Sequence, residues 1–93
     1  AVTEIKVTFD RRMRTGKNYS WIFHKSLGAW PGYQNAPPPY WEADERTCVL
    51  PVKLKPNTVY AVGVNSVRRS GFRDRDGHVA VPHVWVFKTG EKK

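Results

Sequence analysis

Apolar and polar residues alternate with a period of two along much of this chain. From Glu4 to Phe9 the apolar positions are Ile5, Val7 and Phe9 with polar residues between them, the pattern of a half-buried strand. Cys48, Leu50, Val52 and Leu54 repeat the alternation. Pro51 falls on the opposite phase, and a proline within such a run predicts an edge or bulged strand. Val59 to Val64 reads as a more fully buried strand, and Val84 to Thr89 places Trp85 and Phe87 on one face. A further strand is expected over Tyr19 to Phe23. No stretch holds the 3.6-residue apolar spacing of a helix, and β-branched and aromatic residues are plentiful. The pattern predicts an all-β chain.

Two long irregular segments separate these strands. Residues 24–45 carry Trp30-Pro31-Gly32-Tyr33 and then Pro37-Pro38-Pro39-Tyr40-Trp41, where the three prolines favour a stiff, extended backbone. Residues 66–82 carry Arg68, Arg69, Arg73 and Arg75 between Gly71 and Gly77. Loops this long in a small domain either hold function or pack down as part of the fold. Lys55-Pro56-Asn57-Thr58 reads as a tight turn, with proline pre-setting φ and asparagine tolerating a left-handed conformation. No internal repeat is present. Residues 1–89 are expected to form one domain and residues 90–93 a polar tail. Five to seven short strands with turns at this spacing argue for a β-sandwich, the competing architecture being a small Greek-key barrel such as an OB-fold. Phe9, Leu50, Tyr60, Val62, Val64, Trp85 and Phe87 are the expected core.

Four motifs together resemble a known family. Ile5-Lys6-Val7-Thr8-Phe9-Asp10 followed by Met13 is similar to the opening V-x-V-x-F-(S/D)-x-x-M strand of bacterial Ig-like domains of the SbsA type. Thr47 to Pro51 and Leu54-Lys55-Pro56-Asn57-Thr58-Val59-Tyr60 resemble that family's strand leading to L-x-P-(N/G)-T-x-Y. Gly71-Phe72-Arg73-Asp74 with Gly77, then Trp85-Val86-Phe87-Lys88-Thr89, resemble its D-x-x-G … W-x-F-x-T close. The resemblance runs from about residue 4 to 89. It implies an Ig-like antiparallel β-sandwich of six to seven strands that acts as a non-catalytic module of larger secreted or envelope-associated bacterial proteins. The family has no shared catalytic residues. The aromatic and proline enrichment of residues 30–41 and the arginine density of residues 68–75 depart from its pattern.

Composition narrows the chemistry. The chain has 93 residues, enough for a single core. Its 16 Lys and Arg against 8 Asp and Glu give a formal charge of +8, which attracts polyanions such as nucleic acid, anionic lipid or acidic polysaccharide. No apolar run approaches a membrane span. Cys48 is the only cysteine, which excludes intrachain disulfides and cysteine-based zinc sites. The first residues, Ala1-Val2-Thr3-Glu4-Ile5, contain neither an initiator methionine nor a signal peptide, so the chain is expected to be a piece of a larger secreted protein. With no heptad seam or metal framework, it is expected to be monomeric and to need no cofactor or metal.

Catalytic signatures are missing. Glu42, Asp44 and Glu45 lie together beside a turn rather than as two carboxyls facing each other across a cleft, as glycoside hydrolysis requires. No G-x-S-x-G occurs, and His24, His78 and His83 are not at metal-ligand spacing. Cys48, at an apolar strand position, reads as an inert buried thiol. Asp74-Arg75-Asp76-Gly77 echoes the start of a calcium loop without its later ligands, and reads as an Asx-type turn. The chain is therefore read as a non-enzyme. Its two basic runs, Arg11-Arg12 to Lys17 and Arg68 to Arg75, suggest single-stranded nucleic acid as one alternative, although no RNP, KH or cold-shock motif accompanies them. The aromatics give the sharper hypothesis. Trp30, Tyr33, Tyr40 and Trp41 stand on a proline-stiffened loop, a low-entropy platform for stacking sugar rings, with Arg73 to hydrogen-bond hydroxyls. The expected function is carbohydrate binding by an accessory module beside neighbouring domains. The alternative is a plain structural spacer whose loop aromatics fold back into the core.

Overall fold

The computed structural model describes residues 2–33 and 35–91. Its strands are β1 (Val2–Thr8), β2 (Trp21–Phe23), β3 (Tyr40–Trp41), β4 (Thr47–Lys53), β5 (Val59–Val64) and β6 (His83–Lys88). Among the described residues there is no helix, hence none long and apolar enough to cross a membrane. The strands form two antiparallel three-stranded sheets, ordered β1-β4-β3 and β2-β5-β6. This is the all-β sandwich that the alternation predicted. A constant-type immunoglobulin sandwich orders its sheets A-B-E-D and C-F-G. Taking β1 to β6 as strands B to G, the two sheets read B-E-D and C-F-G.

Register explains the core. Ile5 pairs with Leu50 and Val7 with Cys48, so the apolar phases of β1 and β4 share the inner face. On the other sheet Val62 pairs with Trp85 and Tyr60 with Phe87. The inner faces meet in two clusters. One gathers Met13, Cys48, Val64 and Phe72, with Phe9, Tyr19 and Trp41 packed on them; the other gathers Leu50, Val52 and Val62, with Ile5, Trp30 and Phe87. Trp21 touches both clusters.

The expected core needs three corrections. Trp85 has the inward phase but remains 40% exposed, because β1 and β6 are both sheet edges and no strand beyond them covers it. Phe9 and Phe87 are half-buried and pack on the clusters from their margins. Phe72, in the arginine-rich loop, is fully buried and contacts the rings of Phe9, Trp21 and Trp41.

Pro51 also departs from expectation, since β4 is the central strand of its sheet. Alternate residues of a strand direct their N–H groups to the same side. Lys53 N–H donates to the Pro31 carbonyl at 3.1 Å, so Pro51 turns its missing donor toward that same side. There β3 has already ended, having paired only as far as Val49. The central strand is thus locally an edge where its proline sits. The Pro56-Asn57 turn is present, with Asn57 at φ 51°, but it carries the chain from one sheet to the other.

Candidate functional site

The segment from Gly28 to Trp41 begins as a surrogate strand. Ala29 N–H donates to the Val59 carbonyl (2.9 Å), and Ala61 N–H donates to the Ala29 carbonyl (3.0 Å). This parallel bridge continues β5's ladder past the end of β2. Gly28 lies so close to the Tyr60 backbone that a Cβ there would stand 2.9 Å from its carbonyl carbon. The anchoring seats Trp30 against the Leu50 cluster, its ring 5.7 Å from that of Phe23. Pro31 follows, fully buried, and the Trp30 indole lies over Gly32, where only glycine leaves room.

Beyond Gly32 the chain does not close on the sandwich. Because β3 is only two residues long, the flank between β2 and β4 is bridged by Tyr33 and Pro37-Pro38-Pro39 instead of a strand. A groove of about 410 Å³ remains there. Trp30, Tyr33 and the prolines line it from the loop, Leu50 and Pro51 from β4, and Tyr19, Ser20, Trp21 and Arg69 from the opposite side. Aromatic and proline residues dominate the lining, with Ser20, the tyrosines and Arg69 as its polar residues. Such a lining offers flat apolar faces beside hydrogen-bonding groups.

The four loop aromatics are divided by the structure. Trp30 and Tyr33 share the groove. Tyr40 and Trp41 are recruited into β3, and strand alternation sends them to opposite faces. Trp41 turns inward against Phe9 and Phe72, and its indole N–H is buried with no partner among the described residues. Tyr40 lies on the outer face, 44% exposed, with its hydroxyl donating to Glu4 at 2.6 Å. Lys6, opposite Val49, reaches Glu42 at 2.7 Å. Together these side chains cover Val49, which has no exposure on what would otherwise be an open face. That carboxylate contact raises the Lys6 pKa, and the bond to Glu4 raises that of Tyr40.

Arg73 does not reach the groove. Its Nε donates to the Ser70 carbonyl at 3.0 Å and its terminal nitrogen to the Ser70 hydroxyl at 3.2 Å. Arg69 stands at the groove instead. Its backbone carbonyl accepts from Ser66 N–H and its N–H donates to Ser66 Oγ, while Gly71 N–H donates to Ser20 Oγ at 2.8 Å. Gly71 approaches the Tyr19 carbonyl so closely that no side chain fits. Asn65 anchors the loop's other end, its amide donating to the Phe72 and Ala80 carbonyls and accepting from Phe72 N–H.

The two basic runs join in space. Met13 bridges Asp74, Arg14 N–H donates to the Arg73 carbonyl, and Arg75 N–H donates to the Arg12 carbonyl. Acidic residues interleave with these arginines: Arg11 meets Asp74 and Asp10, and Arg75 pairs with Glu45. Asp74 is the hub. Burial alone would raise its carboxyl, but donors from the His78 N–H, the Arg11 guanidinium, the His78 ring and the Asp76 N–H outweigh that and hold it at about 2. Asp76 and His78 have ligand atoms within 4.8 Å of it and of each other, so His78 joins the two aspartates that the sequence pattern had singled out. The Asx-type turn is present, since Asp74 Oδ1 accepts from Asp76 N–H at 2.9 Å.

The remaining acidic and nucleophilic groups are committed elsewhere. Asp44 accepts from Arg46 N–H and from the Thr47 hydroxyl and N–H, which lower its pKa. Glu42 and Glu45 are ion-paired with Lys6 and Arg75. Cys48 is buried, and desolvation pushes its thiol up to about 11, far from the thiolate form. No protein-family model, curated protein or solved structure matches this chain, so the functional reading stands on the geometry of the groove.

Proposed function

We propose that this domain is a non-catalytic carbohydrate-binding module that holds a glycan chain in the groove beside β4. The observation that carries the reading is the joint presence of Trp30 and Tyr33 in one proline-walled groove. Indole and phenol faces take the C–H face of a sugar ring, and tyrosine and serine hydroxyls meet its hydroxyl groups. Buried glycine contacts and the bridge through Ala29 fix the loop before the ligand arrives, which reduces the entropy lost on binding. The resemblance to SbsA-type Ig-like domains agrees with an accessory role in a larger secreted or envelope-associated bacterial protein, without catalysis of its own.

Affinity electrophoresis against a panel of soluble neutral and acidic polysaccharides tests the reading. At least one polymer should retard the domain. Trp30→Ala and Tyr33→Ala should abolish the retardation, whereas Tyr40→Phe and Arg73→Gln should leave it intact. Silence across the whole panel would leave a structural spacer as the better account.

A further inference from the structure

We infer that the glycan taken by the groove is acidic, and that Arg69 reads its carboxylate. The inference rests on the sugar-binding reading and adds the class of sugar. Among the described residues lining the groove, Arg69 is the only one with a charged side chain, and none carries a carboxylate. Its guanidinium has no ion-pair partner among the described residues. At the arginine-dense end of the molecule Asp10 and Asp74 answer Arg11, and Glu45 answers Arg75. An exposed arginine without an ion-pair partner on a groove that also holds stacking rings complements a ligand that carries negative charge on a ring.

The placement of Arg69 is built rather than incidental. Both backbone groups of Arg69 are held by Ser66, and the next turn of chain is pinned to Ser20, itself part of the groove. The stem therefore starts from a fixed point on the wall opposite the prolines. Guanidinium is the group of choice for a carboxylate because its planar donors match two oxygens at once. A uronic acid supplies that carboxylate on the ring carbon outside the stacked face, so one residue of the glycan meets Trp30 or Tyr33 and Arg69 together.

Titration calorimetry in about 0.3 M salt, where diffuse attraction to the +8 surface is screened, separates the possibilities. The probes are polygalacturonate, polymannuronate and polyglucuronate fragments, each beside its carboxyl-reduced neutral counterpart. At least one uronate should bind about tenfold or more tighter than its reduced form, the size expected for one charge-assisted contact. Arg69→Gln should erase that preference, so that the variant binds each uronate and its reduced form alike. Arg69→Lys should restore part of it, as charge without the planar fork. Equal binding of charged and reduced polymers, or a preference that survives Arg69→Gln, overturns the inference while the groove reading stands. Binding untouched by Trp30→Ala, or no binding to any polymer, overturns the groove reading and the inference with it. An oligothymidylate that binds more tightly than every uronate, again through Trp30 and Arg69, would reassign the groove to nucleic acid.

Discussion

Trp30-Tyr33 and Tyr40-Trp41 are chemically alike pairs on one proline-rich segment, and they do opposite work. The first pair follows a parallel bridge at Ala29 and lines the groove. The second enters a two-residue antiparallel strand, so alternation packs the half-buried Trp41 against Phe72 and lays Tyr40 along the sheet's outer face. The difference lies in the backbone. A segment that joins a ladder with both neighbours in phase gives its side chains to the fold. A segment that bridges a flank where the strand stops leaves its side chains on the groove. The short β3 creates both outcomes, ending soon enough to open the groove and lasting long enough to seat one tryptophan against the Phe72 cluster.

The largest effect that would break this comparison is at Trp41. Trp41→Ala should lower stability by about 3 kcal/mol, as truncation of a packed aromatic does, and Trp30→Ala by about half as much because one side of its ring faces the groove. Urea denaturation measures both; equal losses would mean that Trp30 is core like its counterpart. Next in size is the acid response of the arginine-rich loop. The Asp74 carboxyl titrates at about 2 in the folded protein, below its ordinary value near 4, so the unfolded chain takes up this proton first. Its contribution is complete above about pH 5 and is lost as pH falls from about 4 through 2. Asp74→Asn should flatten that acid limb of a stability–pH curve. An unchanged limb would remove Asp74 as the loop's hub.

Smaller effects sharpen the outer half of the comparison. Tyr40→Phe removes one exposed hydrogen bond to Glu4 and should cost under about 1 kcal/mol, with sugar binding unchanged. Cys48 should show no measurable reaction with a thiol-specific disulfide reagent at pH 8 until denaturant is added, because burial keeps the thiol protonated. Rapid labelling in native buffer would contradict the packing of the cluster around Phe72.

Much of the fold was legible because period-two alternation is local. Ile5, Val7, Cys48, Leu50 and Val62 face the core as their phase required. Local pattern fails where the outcome depends on what lies across a gap. Trp85 has the right phase, yet its exposure follows from two sheet edges with nothing beyond them. Phe72 carries no strand signal, and it is buried because Asn65 ties its backbone on both sides. For the site, Trp30 and Tyr33 were visible as aromatics on a stiff loop. Arg69 was not, since the Gly71–Ser20 bond that brings it to the groove joins residues fifty-one positions apart. Arg73, the more obvious choice, is held by its own loop through Ser70.

The central claim is that the flank beside β4, opened by the early end of β3, is where the ligand lies. A 15N–1H correlation spectrum recorded during titration with uronate oligosaccharides tests it residue by residue. The account predicts shifts centred on the Trp30 indole N–H, Tyr33, Ser20 and the Arg69 guanidinium, with the Trp41 indole and the Arg12–Arg75 ladder unmoved. Shifts concentrated on that arginine ladder, or spread evenly over exposed lysines, would contradict it.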